Sequence, residues 1–367
     1  SYIYNILEEA GHKAASVILM NPNTGGILSL VSTPSYDPNK FIKGISHNEW
    51  LSLLQDPHKP LINKAVYTTY PPGSIFKLVV ILAALEFGIA PSHKVECKGH
   101  IMIGRKKFRC WNKEGHGIIN MEEAIKYSCN IYMHNIGNII GINNILAMAQ
   151  RLQFGQNTSI DLPSESSGLL PTRDNYRFFK NKWMPGDVFN MSIGQGYLAV
   201  TPLQLARLAC VIANKGSLIT PHLVQNQSLQ TPSLSIPAEY FELYPSHFLQ
   251  AQNTLSIPAE YFELVKNGMD KAVNSFKGSA YSSRISHKDF RMAGKTGTAQ
   301  VVSKKRDDHD FSLKTIPWHI RNHALFAGFA PVDNPQFACA VVIEHGGSGA
   351  SSAAPIAKKI FQKALKI

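Results

Sequence analysis

Strand-type sequence sits near the two ends of this chain, and that separation constrains the fold more than any other feature. Ala14 to Met20 and Gly26 to Ser32 are apolar runs joined by Asn21-Pro22-Asn23-Thr24-Gly25, a hairpin pattern. The next strand-like runs are Arg291 to Val302, His323 to Ala330 and Phe337 to Glu344. Between them, after a polar stretch carrying Pro34, Pro38, Pro57 and Pro60, helical patterns dominate. These are Glu122 to Ser128, Ile145 to Leu152, Pro202 to Asn214 and Lys266 to Asn274, and Ala354 to Leu365 closes the chain as a further helix. The expected fold is α/β (α+β): one antiparallel sheet built from both ends and flanked by helices. A helical lobe over about residues 75–215 is inserted between the two halves.

The 367 residues allow two average domains or one large one. A formal charge of +12 gives a surface that favours anionic partners. No Lys/Arg run or nucleic-acid motif accompanies it, so nucleic acid is not an expected partner. Ser1 to Asn5 carry no signal peptide or anchor and lead quickly into strand-like sequence, so a piece of a longer protein is expected. The decapeptide LSIPAEYFEL occurs twice, at Leu234 to Leu243 and Leu255 to Leu264. This reads as a local duplication in a loop insertion over about residues 225–264. The second copy runs into the helix expected at Lys266 and is assigned the structural role.

Chemistry enters at Ser74-Ile75-Phe76-Lys77, which follows Tyr70-Pro71-Pro72-Gly73 and precedes the apolar run Leu78 to Leu85. A serine and a lysine three residues apart share one helical face, so the amine can touch the hydroxyl. Burial of the helix and its positive N-terminal end both favour a neutral amine, the form that can act as a base. Taken alone, the pair also fits a capping serine and a lysine reaching solvent. The apolar run ends at Glu86 and is too short to cross a bilayer.

Two further motifs follow in order: Ser128-Cys129-Asn130, and Lys295-Thr296-Gly297-Thr298 on a predicted strand. Ser-x-x-Lys, Ser-x-Asn and Lys-Thr-Gly in this sequence order match the signature of penicillin-binding proteins and serine β-lactamases. STPSYDPNKF, PLINKAVYTTYPPGSIFK, GHGIINMEEAIKYSCN, SIGQGYLAVTPLQLA and HALFAGFAPVDNP extend the resemblance to nearly the whole chain. The chain resembles class B penicillin-binding proteins, most of all the elongation-type penicillin-binding protein 2 family. The main departure is the repeat region. The resemblance implies the penicillin-binding transpeptidase fold over residues 1–367, with the membrane anchor and pedestal absent from this chain.

It also implies residue roles. Ser74 attacks a D-alanyl carbonyl to form an acyl-enzyme, Lys77 takes its proton, and Ser128 relays a proton to the leaving amine. Asn130 binds the substrate amide and places Lys77. Lys295 supplies positive potential, and Thr296 and Thr298 bind the terminal carboxylate. The backbone N–H groups of Ser74 and Thr298 form an oxyanion hole. Gly297 leaves room for substrate to lie along its strand. Implied partners are peptidoglycan stem peptides, β-lactams, a SEDS-type glycan polymerase and other elongation-complex proteins. The implied location is the periplasmic face of the inner membrane. A D,D-carboxypeptidase, a β-lactamase and a non-catalytic β-lactam sensor or scaffold are the alternatives.

Cys97, Cys110, His116 and Cys129 fall in the order Cys-x12-Cys-x5-His-x12-Cys. Three thiolates and an imidazole are a complete set for structural Zn(2+). A Cys97–Cys110 disulfide, or buried thiols with a turn histidine, would use the same residues otherwise. Elongation-type relatives can carry a metal site here with carboxylate, histidine and cysteine ligands, whereas this chain offers cysteines at the first two positions. Cys129 lies between Ser128 and Asn130, so a metal on its side would pin the proton-relay loop from behind. Cys210 and Cys339 are expected as small core residues.

Overall fold

Apolar residues at consecutive positions of a strand have to be covered on both faces, and the central strands here are of that kind. The computed structural model describes residues 2–104, 106–171, 183, 185–224, 253–301 and 316–367. Helix α1 (Tyr2–Glu9) precedes the hairpin β1 (Ala15–Met20) and β2 (Ile27–Thr33), followed by α2 (Asn39–Ile42) and α3 (His47–Gln55). A 3-10 turn, Gly73–Phe76, runs directly into α4 (Lys77–Glu86). Short strands β3 (Val95–Cys97), β4 (His100–Ile103), β5 (Lys106–Arg109) and β6 (Gly117–Ile119) then form two small ladders, β3 with β6 and β4 with β5. Helices α5 (Met121–Lys126), α6 (Asn130–Arg151), α7 (Pro185–Ser192) and α8 (Pro202–Ala213) complete the lobe. After the ladder of β7 (Ser217–Leu218) and β8 (Asn253–Thr254) comes α9 (Ala259–Asn274). Strands β9 (Ala293–Ala299), β10 (His323–Ala330) and β11 (Phe337–Ile343) and helix α10 (Ala354–Leu365) finish the chain.

The sheet order is β2-β1-β11-β10-β9, with every pairing antiparallel. Both ends of the chain therefore build one sheet, as the sequence pattern requires. Val17 and Leu19 of β1 pack with α1 and α10 around Ile6, Ile356 and Phe361. Ile18 and Met20, pointing the other way, join the larger core of α4, α6, α8 and α9. This two-sided burial explains why the strands carry unbroken apolar runs.

Several elements differ from expectation for identifiable reasons. Helix α6 begins at Asn130 and bends at Gly141, whose φ of 75° is non-helical; isoleucines, asparagines and glycines weaken its local helix signal. Helix α9 starts at Ala259, so the second decapeptide copy is partly helical and not loop throughout. The first copy, Leu234 to Leu243, lies outside the described residues, as does Val302. Strand β9 stops at Ala299. The proline-rich polar stretch contains α3, whose start is fixed by a capping box between Ser46 and Glu49.

Helix α4 is the centre of the lobe. Every residue from Lys77 to Leu85 is buried, so the helix has no solvent face. Leu82→Ala removes a wholly buried side chain. It is expected to cost about 2–5 kcal/mol in chemical denaturation; a loss under about 1 kcal/mol would contradict this packing.

Candidate active site

The entry to α4 is shaped by its neighbours before any catalytic group is placed. Tyr70 exchanges both backbone hydrogen bonds with Val200, at 2.9 Å each, and its hydroxyl donates to Glu344 Oε1 at 2.7 Å. Gly73 then turns the chain with φ +54°, and a Cβ there would lie 2.6 Å from the Thr298 carbonyl oxygen. Opposite it, a Cβ on Gly297 would lie 2.8 Å from the Pro72 oxygen. The glycine of Lys-Thr-Gly thus meets a packing demand from the nucleophile turn, in addition to the expected role of leaving room for substrate along its strand.

This packing sets Ser74 beside β9, the edge strand of the sheet, in a cleft of about 380 Å³. Ser74, Ser128, Asn130, Thr296 and Thr298 all line it. Lys77 is fully buried beneath, donating to the Ser128 carbonyl oxygen and to Asn130 Oδ1, each at 2.7 Å, and reaching Ser128 Oγ at 3.3 Å. Lys295, also fully buried, donates to Ser128 Oγ at 2.8 Å and to the Thr296 carbonyl at 3.3 Å. One hydroxyl thus stands between two amines, able to accept from one and to donate to the other when that amine is neutral.

Burial governs both amines. It lowers Lys77 from 10.5 to about 8, with the neighbouring Cys129 and Cys110 acting in the opposite sense. It pushes Lys295 well below the ordinary lysine range, and the adjacent Lys77 charge adds to the effect. A half-buried serine with a buried lysine three residues on, a second buried lysine on an edge strand and a serine hydroxyl linking the two amines is an acyl-transfer arrangement. Residues 15–362 match the family described as penicillin binding protein transpeptidase domain.

The chain belongs to the penicillin-binding protein transpeptidase family.

Among curated relatives, the peptidoglycan D,D-transpeptidase MrdA of Acinetobacter baumannii is 37% identical over 360 residues, covering 96% of this chain and 50% of the relative. MrdA of Escherichia coli K12 is 35% identical over 363 residues, covering 95% of this chain and 53% of the relative. The chain therefore spans about half the length of the curated relatives it matches. Among solved structures, Pseudomonas aeruginosa PBP2 in complex with WCK 5153 aligns with a TM-score of 0.83 at 34% identity, covering 99% of this chain and 73% of that one. A Helicobacter pylori complex between PBP2 and MreC gives a TM-score of 0.83 at 30% identity, covering 100% and 62%.

Behind the cleft of this penicillin-binding protein lies a second cluster. Cys129 is the N-cap of α6, and its sulfur accepts from the Tyr132 N–H at 3.4 Å, turned away from the Ser128 and Asn130 side chains. It meets Cys97 at the end of β3, Cys110 just after β5, and His116. The four donor atoms lie within 4.8 Å of one another, and none of the five cysteines forms a disulfide. The sulfurs of Cys97 and Cys110 are 3.5 and 3.6 Å from His116 Nδ1. Tetrahedral zinc with legs of about 2.3 Å to sulfur and about 2.05 Å to nitrogen has S···N edges of about 3.6 Å. The donor set therefore fits such an ion in identity and size.

Hydrogen bonding with Cys129 draws Cys110 and Cys97 below the ordinary thiol range, while Cys129, sharing its proton with both, is pushed far up. Without a cation, one of the three sulfurs keeps the proton that the other two share. His116 stacks on Tyr127 with ring centroids 5.4 Å apart, and Trp111 hydrogen-bonds the Tyr127 carbonyl at 2.9 Å while lining the cleft. Trp111, Gln195, Ser279, Gln300 and Ser348 are cleft residues that motif reasoning did not single out. Of these, Gln195 alone falls in a segment that carries the family resemblance, SIGQGYLAVTPLQLA.

Lys77 is expected to titrate near 8 when its side-chain ¹³Cε resonance is followed with pH. A value above about 10, the range of an exposed lysine, would show that the three oxygen acceptors outweigh burial.

Proposed function

We propose that this domain forms and transfers a Ser74 acyl group as the transpeptidase part of an elongation-type peptidoglycan D,D-transpeptidase. The observation that carries the reading is the Ser128 hydroxyl, 3.3 Å from Lys77 Nζ and 2.8 Å from Lys295 Nζ, in the cleft that Ser74 lines. Neutral Lys77 takes the Ser74 proton as the oxygen attacks the penultimate D-alanyl carbonyl. The proton passes through Ser128 to the leaving D-alanine amine, leaving an ester on Ser74. The N–H groups of Ser74 and Thr298 hold the developing oxyanion. Thr296, Thr298 and Lys295 receive the terminal carboxylate, and Asn130 binds the peptide amide. An amine from a second stem peptide then displaces Ser74, restoring its hydroxyl and forming the cross-link.

We place the whole protein, held by a membrane anchor, at the periplasmic face of the inner membrane. Among the described residues, no helix is long and apolar enough to cross a membrane. The Helicobacter pylori neighbour bound to MreC supports partners from an elongation complex, and we include a SEDS-type glycan polymerase among them.

A labelled penicillin is expected to give a stable single adduct on Ser74, seen by intact mass, and none on Ser74→Ala. Rapid loss of the label would indicate a β-lactamase, and no adduct would overturn the reading. Because only neutral Lys77 accepts the proton, acylation should rise about tenfold per pH unit below about 8 and level off above it. A donor–acceptor peptide assay separates cross-linking from hydrolysis.

We also propose structural zinc held by Cys97, Cys110, His116 and Cys129, supported by the spacing of those four groups. Bound there, the ion supplies a fixed dication that allows the thiolates to ionise together and pins the Ser128–Asn130 loop from behind. Metal analysis of protein never exposed to added zinc should find about one ion per chain, and Cys129→Ser should lower both that figure and the thermal midpoint. A stoichiometry near zero would remove the proposal.

A further inference from the structure

An oxyanion hole made from two distant segments works only if their spacing is fixed. Here one donor belongs to the turn Gly73–Phe76 and the other to β9. The segment that joins them comes from a third place, the end of α7. The helix stops in a Schellman motif: the Gly194 N–H donates to the Met191 carbonyl and the Gln195 N–H to the Asn190 carbonyl, both at 2.9 Å. Gly194 has φ +71°, and a Cβ there would lie 2.1 Å from the Gly73 oxygen.

That cap is oriented towards both halves of the site. The Gly194 carbonyl accepts from the Gly73 N–H at 2.9 Å. One residue on, Gln195 Nε2 donates to the Thr298 carbonyl at 2.9 Å. The Gln195 side chain also lines the cleft beside Ser74 and Thr298. A carbonyl has two lone pairs, so Thr298 can still accept a second bond from an extended ligand along the β9 edge.

We propose that Gln195 is a positioning residue for acyl transfer: its amide holds the Thr298 carbonyl, and because a strand residue's N–H and C=O lie on the same edge, this fixes the direction in which the Thr298 N–H meets the developing oxyanion. It touches neither reacting atom. Its effect falls on the rate of acylation, because misplacement of an oxyanion donor weakens transition-state binding more than initial binding. The proposal rests on reading Ser74 as the acyl-forming nucleophile.

The test is the acylation of the whole chain by a labelled penicillin, with initial binding and the first-order acylation rate resolved separately. Gln195→Ala should acylate about 10- to 100-fold more slowly, with little change in initial binding. Gln195→Glu turns a carboxylate towards the Thr298 carbonyl and should lose at least as much at neutral pH. Protonation restores an O–H donor, so the ratio of its rate to that of the parent should rise as pH falls through the carboxyl range. Gln195→Ala followed over the same pH range separates this recovery from the lysine titrations, because it carries neither the donor nor the added charge.

A merely structural glutamine would lower the thermal midpoint without producing this pH-dependent recovery, so the ratio stays decisive even for a destabilised variant. A Gln195→Ala rate within about twofold of the parent, or a flat Glu-to-parent ratio, would overturn the inference. If the parent protein itself forms no adduct, the fault lies in the proposed acyl transfer and not in Gln195.

Discussion

Everything around the cleft depends on one hydroxyl held between two buried amines. Ser128 Oγ lies 3.3 Å from Lys77 Nζ and 2.8 Å from Lys295 Nζ, and both lysines have no exposed surface. Removing two ammonium groups from water costs several kcal/mol each, and bringing them together adds repulsion. Their surroundings are unequal. Lys77 has the Ser128 carbonyl and Asn130 Oδ1 at 2.7 Å, while Lys295 has the Thr296 carbonyl at 3.3 Å besides the shared hydroxyl. The better-solvated amine therefore holds a proton more readily, and charge on it discourages charge on the other. A proton moving between them has Ser128 as its bridge. The two amines and the hydroxyl therefore act as a coupled unit, in which charge on Lys77 helps keep Lys295 neutral.

The backbone that presents Ser128 has opposing demands on its two sides. Ser128 adopts φ +53°, an uncommon left-handed conformation for a side-chain-bearing residue. The next residue caps α6 with a thiol, although serine, aspartate or asparagine would be a stronger N-cap. Better capping was available to this position, so cap strength does not account for the cysteine. Its sulfur instead lies within 4.8 Å of the donor atoms of Cys97, Cys110 and His116. Front and back chemistry are joined within three consecutive residues because neighbouring side chains on such a turn face different ways.

The large features were legible because they depend on long patterns. The sheet from both chain ends, the buried helix after Lys77 and the strand limits of His323–Ala330 all follow from apolar runs and their periodicity. The order of the three motifs also identified the family before any geometry was known. The first turns of α6 were hidden by locally poor helix formers, and packing of Ile131, Tyr132 and Ile136 into the core overrides that preference. The α3 capping box, Ser46 to Glu49, was readable but lay in a stretch dominated by prolines. Burial of Lys77, expected from the apolar run that follows it, lowers the amine to about 8, while the opposing influence of Cys129 and Cys110 depends on contacts that only the fold supplies.

Least legible was the role of atoms that are missing. Gly73, Gly194 and Gly297 each bring bare backbone to another segment's carbonyl, where a Cβ would approach to 2.6, 2.1 and 2.8 Å. These contacts join the nucleophile turn, the end of α7 and β9, three segments far apart in sequence. A glycine read by itself signals only a permissive turn. Its steric purpose appears when the opposing carbonyl is known, and that carbonyl is supplied by topology. The chemistry of the cleft can therefore be recognised from its serines and lysines, but its dimensions are set by glycines. Adding one methyl group at this junction would force the nucleophile and the edge strand apart while leaving every catalytic side chain in the sequence.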